Sequence, residues 1–493
     1  LALTAIAVLL LIGIAGAGLH FTYGVFDADE LQHAHIAWLI ARGEVPYRDF
    51  WEHHGPLFGL VNGWLLRISG APPGIDLLYA CRAHSTMASM AALLATYLIA
   101  RAAGLARTAS AAAPAILLAS FFVHDKGVEC RPDTWQNAFW LMGLWVLLRS
   151  LRRREPVLTT LAGSLMGLAA LTNAKAGLGP LAILLFYLFG ARLHGLGARA
   201  VAADLGLLAT GGLLPYALVL LYFLAHDAIP DFHYYNLAWN FAAAGYEVEA
   251  TDRGWRFAAS FVQRQWPIAL AAAAGLAFWW AGWRRKAWRP ETPLIGLIAV
   301  SAILSTAGLA AGFYSQYFLF LLPPWCVLAA YGMNSAVERL APRLGANASI
   351  GFAACAVLGI APIALQAARF APTQEQALLQ RQKSLTAYLL EVTPRTEPIG
   401  VIWDACGGFM FNARLQFYWA ADGPVGAVVA RQTGENPFGS AFVAALDQAR
   451  VRYIAGTDGA KFRELPAATQ AYIHENFTYT DCLWTRRQPL PVR

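Results

Sequence analysis

Charge is what this sequence has least of. Asp, Glu, Lys and Arg make up 14% of 493 residues, where soluble domains carry about a quarter. With 58% of residues hydrophobic, a soluble globular reading is excluded. Cysteine is scarce as well, six in all and none in a zinc-type spacing. There is no Gly-rich phosphate loop and no Ser-His-Asp arrangement, which argues against a cytosolic nucleotide-sugar donor. Internal repeats and low-complexity tracts are missing too. The net charge of +7 is not a nucleic-acid signal, because the basic residues sit in short clusters between apolar runs, where they report topology.

What is present is a series of apolar runs long enough to span a bilayer, which takes roughly 17 to 25 residues. Eleven are expected, near 3–23, 76–99, 109–123, 134–149, 157–172, 176–190, 203–225, 266–283, 293–311, 316–333 and 348–367. The chain opens at Leu1 rather than Met, so we expect a further segment upstream. The first run lacks a basic leader and a small-residue cleavage site and is read as a retained span. Fourteen Lys and Arg, from Arg101 to Arg343, fall in alternate loops, while the intervening short turns hold only Lys126, Arg131 and Lys175. The positive-inside rule then sets the orientation, with the C-terminal segment outside.

The fold class expected is an α-helical polytopic membrane protein over 1–368, followed by a small outer α/β domain over 369–493. In that second part Thr373 to Lys383 reads as an amphipathic helix, and Pro398 to Trp403 and Val451 to Ala455 read as strands. Cys326 and Cys355 fall in spans as apolar packing. Cys406 and Cys482 lie where a disulfide is allowed, and Cys81 and Cys130 could pair near the outer surface.

Three outer segments, near 24–75, 124–133 and 226–264, are longer or more polar than a connection requires. The first opens with Asp27, Asp29 and Glu30 and runs to Glu52-His53-His54-Gly55-Pro56. Its stretch Ala34 to Arg42 reads as a helix along the membrane, with Trp38 at the interface. The second packs His124, Asp125, Lys126, Glu129, Arg131 and Asp133 into ten residues. The third carries His226, Asp227, Asp231, His233, Tyr234 and Tyr235, with Trp239 and Asn240 behind. Carboxylates, imidazoles and aromatics gathered on one face of a many-span protein point to a reaction cavity.

These residues resemble the GT-C class of membrane glycosyltransferases, in the branch of protein O-mannosyltransferases and lipid A aminoarabinose transferases. The resemblance rests on Asp29-Glu30 after the first span, His54-Gly55-Pro56 and Arg131-Pro132-Asp133. It also rests on the Gly163 to Lys175 stretch, and on Phe313 to Tyr317 leading to Pro323-Pro324. It covers roughly residues 20–335. It implies a sugar on a polyprenyl phosphate, transferred with inversion to an acceptor hydroxyl of a glycan, glycolipid or protein. It also implies a cell-envelope setting, the bacterial inner (plasma) membrane, with the active site on the outer face.

On that implication Asp29, Glu30 and Asp133 are the catalytic candidates, with Asp29 as general base. A hydroxyl is a poor nucleophile and must lose its proton as it attacks. His53, His54, Arg82, Arg131 and Lys175 are candidates for the clamp on the leaving phosphate. Tyr314, Gln316 and Tyr317 are candidates for the substrate cavity. Where the aminoarabinose branch has lysine before proline, this chain has His54, only partly charged at neutral pH. Asp29 and Asp133 together could hold a divalent metal; no cofactor is otherwise expected.

Bland readings stand beside each. Acids suit any helix N-terminus, a loop His pair can bond to backbone, Lys175 can snorkel, and Tyr314, Gln316 and Tyr317 fit an aromatic belt. A transporter or flippase for a lipid-linked saccharide is the rival from another class. It would place ionisable groups near mid-membrane and show repeats.

Overall fold

Twenty-two residues without an Asp, Glu, Lys or Arg, Ala2–Tyr23, form α1. The computed structural model describes residues 2–50, 52–70, 74–173, 178–190, 195–238, 251–284, 292–308, 315–345, 350–354, 357, 361, 373–393, 399–401 and 439–488. Two short helices follow α1: α2 (Ala28–Ala41) and α3 (Pro56–Ser69). Pro56 opens α3 at the position where a missing N–H costs nothing, and Gly70 closes it in the left-handed region at φ 63°.

Next come α4 (Ile75–Ala102), α5 (Arg107–Ala119), α6 (Phe121–Lys126), α7 (Pro132–Arg153), α8 (Pro156–Thr172) and α9 (Leu178–Leu185). They are followed by α10 (Ala198–Ala225), α11 (Ile229–His233), α12 (Thr251–Arg284), α13 (Thr292–Gly308) and α14 (Phe318–Leu344). Among the described residues four helices are long and apolar enough to cross a membrane: α1, α4, α10 and Phe318–Leu340 of α14. Pro156–Thr172, Gly179–Phe189 and Pro293–Leu304 are shorter apolar helices. The protein is an integral membrane protein. α12 is kinked at Gln265, where Pro267 removes a donor from the helical ladder. Most of the run expected near 348–367 lies outside the described residues.

Packing between α8 and α10 is backbone to backbone. A Cβ on Gly163 would sit 2.2 Å from the Leu208 carbonyl, and one on Gly211 would sit 2.1 Å from that of Thr160. In lipid, close approach of this kind replaces the hydrophobic effect as the source of helix association. The glycines of the Gly163 to Lys175 stretch therefore serve packing, and Lys175 itself lies outside the described residues.

The C-terminal part holds α15 (Thr373–Val392), β1 (Gly400–Val401), α16 (Ser440–Gln448), β2 (Tyr453–Ala455), α17 (Ala460–Arg463), α18 (Ala467–Asn476), β3 (Phe477–Thr480) and β4 (Leu483–Arg486). The sheet order is β1-β2-β4-β3. β1 runs parallel to β2, with Gly400 opposite Ile454, and β4 runs antiparallel to both β2 and β3. The helix and the first two strands follow the sequence reading. The β3–β4 hairpin is not among the strands read from the sequence. Its two-residue turn, Asp481-Cys482, takes positive φ at both positions (39° and 71°), the geometry that suits strand twist.

Trp484 fills the core of this layer, stacked on Phe462 at 4.8 Å. Leu379, Leu389, Ile399, Ala455 and Leu483 share a second core with Phe26, Ile36, Phe58 and Leu78. The C-terminal part is therefore seated on α2, α3 and α4. Trp38 belongs to that core and is 7% exposed, stacked on His35. This corrects the expectation of an interfacial tryptophan: the ring is buried inside the protein, with Arg42 4.7 Å over it.

Cys482 is disulfide-bonded, and Cys406 and Cys355 lie outside the described residues. Cys326 is a buried free thiol, as packing requires. Cys81 and Cys130, which could have paired, are buried free thiols.

Candidate active site

Asp27 caps α2, its carboxylate accepting the Asp29 amide at 2.9 Å. An acidic first turn meets the positive end of the helix dipole, which accounts for part of the Asp29-Glu30 pair. Successive helical residues point about 100° apart, however, and the two carboxylates meet different surroundings.

Glu30 is wholly buried. Arg82 of α4 donates to both of its oxygens, Nε to Oε1 at 2.6 Å and Nη2 to Oε2 at 2.8 Å, and the Cys130 amide donates to Oε1 at 3.0 Å. The remaining Arg82 N–H groups donate to the carbonyls of Phe21 (2.9 Å), Gly24 (3.0 Å) and Val25 (3.0 Å). Its guanidinium lies 4.0 Å over the Phe26 ring. All five guanidinium donors are committed inside the protein. The sequence reading turned Arg82 into a polar cavity; the structure instead turns it onto Glu30 and the end of α1, since a buried guanidinium without acceptors would be costly.

Asp29 keeps an open side, its side chain 36% exposed. Its Oδ2 accepts from Arg131 Nη1 at 2.6 Å. Arg131 also donates to Asp27 Oδ1 at 2.9 Å and, through Nε, to Glu129. Lys126 reaches Glu129 at 2.6 Å, Asp27 at 3.3 Å and Asp125 at 3.6 Å. Burial alone would push the Asp27 carboxyl up, but the Arg131 and Lys126 charges hold it at about 2. Burial pushes the His35 ring down to about 3, so it is neutral.

Asp133 sits in the first turn of α7, buried, with the Asn173 amide donating to it at 3.4 Å. Among the described residues, one group of three ligand-type side chains lies close together: His33, Glu52 and His54, each offering an atom within 4.8 Å of the others.

Glu52 organises the loop before α3. Its Oε1 accepts the amides of His53 (2.7 Å) and His54 (2.8 Å), and pairs with His54 Nδ1 at 2.8 Å. The His54 carbonyl accepts from Tyr47 Oη at 2.6 Å and from Asn236 Nδ2 at 3.2 Å. Gly55 passes so near α8 that a Cβ there would lie 2.0 Å from the Leu171 carbonyl. The His33 and His54 ring centroids are 4.8 Å apart, those of His53 and His54 3.9 Å. Arg48 Nη1 donates to the His226 carbonyl at 2.6 Å, joining the loop before α3 to the end of α10.

Gln382 of α15 brackets the residue before Asp27, accepting the Phe26 amide at 3.0 Å and donating to its carbonyl at 2.8 Å. Gln316 and Tyr317 occupy a half-buried 3₁₀ turn ahead of α14. Tyr314, Trp239 and Asn240 lie outside the described residues. The sequence reading named Lys126 and Glu129 in the second polar segment but not their pairing. Their opposite signs at i and i+3 were the available signal. Nothing in the sequence links Gln382 to Phe26.

Residues 54–226 match the family model of dolichyl-phosphate-mannose-protein mannosyltransferase. That range contains His54, Arg82, Arg131, Asp133 and Lys175 but not Asp29 or Glu30. No curated protein sequence matches the chain. Among solved structures, the Archaeoglobus fulgidus oligosaccharyltransferase in the apo form superposes with a TM-score of 0.59 at 15% identity, over 92% of this chain and 69% of that one. The archaeal oligosaccharyltransferase AglB from the same organism, in complex with an inhibitory peptide and a dolichol-phosphate, gives 0.56 at 13% over the same shares. ArnT from Cupriavidus metallidurans bound to undecaprenyl phosphate gives 0.51 at 15%, over 81% of this chain and 82% of that one. In sequence over residues 54–226 and in fold over most of its length, the chain resembles the membrane glycosyltransferases of the GT-C class.

Proposed function

We propose that this protein transfers a sugar from a polyprenyl-phosphate-linked donor to an acceptor hydroxyl on the outer face of the membrane. The observation that carries the reading is the division of labour at the start of α2. Glu30 is sealed against Arg82, while Asp29 stays open beside Arg131. Asp29 takes the acceptor proton as the hydroxyl oxygen bonds to the anomeric carbon. The bond from that carbon to the phosphate oxygen breaks on the opposite side, and the lipid phosphate leaves with the electron pair, giving inversion. Glu30 and Arg82 position α2, and neither touches donor or acceptor. His53, His54, Arg131 and Lys175 are the candidates for holding the donor phosphate. Asp133 is a further catalytic candidate, and Tyr314, Gln316 and Tyr317 are candidates for the substrate cavity.

The chain crosses the membrane eleven times, with 369–493 as an outer domain capping the site, in a bacterial inner membrane. A disulfide at Cys482 supports the oxidising side for that domain. The test uses protein in lipid nanodiscs supplied with a pool of lipid-linked sugar donors, with transfer to glycolipid or protein acceptors followed. Transfer is expected. Movement of the lipid-linked sugar across sealed vesicles without transfer would instead establish the flippase reading.

A further inference from the structure

A glutamine stands in the buried stripe of α15. Leu379, Gln382, Thr386 and Leu389 recur at the spacing of one helical face, and all four are at most 2% exposed. A leucine at 382 would extend the apolar seam that seats this helix on α2, α3 and α4. A side-chain amide in that place is costly unless both of its ends are bonded. Both are, and to one residue. Gln382 Oε1 accepts the Phe26 amide at 3.0 Å, and Nε2 donates to the Phe26 carbonyl at 2.8 Å. Donor and acceptor side by side pair with a single backbone residue, as a neighbouring strand would.

Phe26 is where such a tie has consequences. α1 ends at Tyr23 and α2 begins at Ala28, so residue 26 lies outside either helix. Arg82 of α4 donates to the carbonyls of Gly24 and Val25 and covers the Phe26 ring at 4.0 Å. Gln382 holds the next peptide. Asp27, one residue further, caps α2 by accepting the Asp29 amide. The entry to α2 is thus held from two sides, by α4 and by α15 of the C-terminal part.

We infer that Gln382 is a positioning residue for Asp29: through it the C-terminal part sets the entry of α2, and with it the place of the carboxylate that takes the acceptor proton. The tie to Phe26 stands on geometry alone; its catalytic consequence rests on the transfer reaction proposed above. Gln382 acts on that reaction only through the backbone of residues 26–29. Misplacing a positioned group by about 1 Å can cost about 10²-fold in rate. The candidates for holding the donor phosphate lie outside residues 24–29, so donor binding should not follow.

The test uses the full chain in nanodiscs. Gln382→Leu fills the stripe with an apolar side chain of similar size and removes both bonds to Phe26. Amide exchange across residues 24–30 should speed up by at least about tenfold, with exchange in α10 at the wild-type rate. The kcat for transfer should fall by at least about tenfold, with KM for the lipid-linked donor within about twofold. Arg381→Ala, exposed on the same helix, should change neither. Gln382→Glu makes the tie titratable. Protonated, the introduced carboxyl can accept the Phe26 amide and donate to its carbonyl; ionised, it can only accept. Its turnover relative to wild type at the same pH should recover as pH falls from about 8 to about 5.5, because burial raises a carboxyl's pKa. A side chain that only fills space would give a flat ratio. Should Gln382→Leu fail to insert, Gln382→Glu carries both readouts. Unchanged exchange over 24–30 would overturn the tie. Faster exchange with wild-type kcat, or a flat ratio for Gln382→Glu, would overturn the positioning role. An inert wild type with the exchange difference intact would sink the transfer reading and leave the tie standing.

Discussion

Glu30 and Arg82 meet across two helices with both carboxylate oxygens and two guanidinium nitrogens in register, at 2.6 and 2.8 Å, where both residues are at most 1% exposed. This pair fixes the start of α2 against the end of α1, and so determines where Asp29 stands. Removing one member leaves the other charged and buried, which costs about 3–5 kcal/mol. Glu30→Gln and Arg82→Ala should therefore lower the thermal midpoint and yield of the purified protein. A midpoint unchanged within error would show that the pair does not support α2.

Asp29→Asn should behave differently. Asn keeps the size and an acceptor for Arg131 but cannot take a proton. Transfer should fall by about 10²- to 10⁴-fold, with insertion, melting and binding of a polyprenyl phosphate preserved. Unimpaired transfer at matched expression would move the base to another carboxylate.

Acid should loosen the Asp27 network. Its carboxyl has an ordinary value of 3.8 and lies at about 2 in the folded chain. A depressed carboxyl contributes stability that is complete above its unfolded value and is lost as pH falls toward the folded one. Between about pH 4 and 2 the wild type should lose thermal stability more steeply than Asp27→Asn, which has no such group to titrate. Parallel melting curves for the two proteins would contradict the assignment.

Gly55→Ala places a Cβ 2.0 Å from the Leu171 carbonyl. Backbone cannot yield as a flexible side chain can, so the His54 loop must move away from α8. Transfer should fall by at least about tenfold, since small displacements of positioned groups are costly. Wild-type turnover in this variant would show that loop position does not matter.

The orientation is open to labelling. Arg463, exposed in the C-terminal layer, lies on the outer side in the proposed topology. Arg463→Cys should react with an impermeant maleimide in intact cells or spheroplasts. Reaction only after the inner side is exposed would reverse the topology.

Much of the helical framework could be read from the chain because it depends on local properties. A span is a run of apolar residues of bilayer length, and the basic clusters between the runs carry an orientation. The acids after α1 and His54-Gly55-Pro56 were visible in the same way, as chemistry placed next to a boundary. The β3–β4 hairpin was missed because strands of four residues each leave little periodic signal.

The sequence by itself determined the membrane class and the residue types available in the polar segments. It could not determine which of those residues remain free to act. Whether Arg82 clamps a phosphate or neutralises Glu30 depends on where α4 lies against α2, 52 residues away in the chain. Whether Lys126 and Glu129 are solvated depends on what covers them. The hold of Gln382 on Phe26 spans 356 residues. Charges interact through space and their worth depends on burial. Only the packed structure therefore showed that Arg82 pairs with Glu30, that Asp29 stays partly exposed, and that His33, Glu52 and His54 lie side by side.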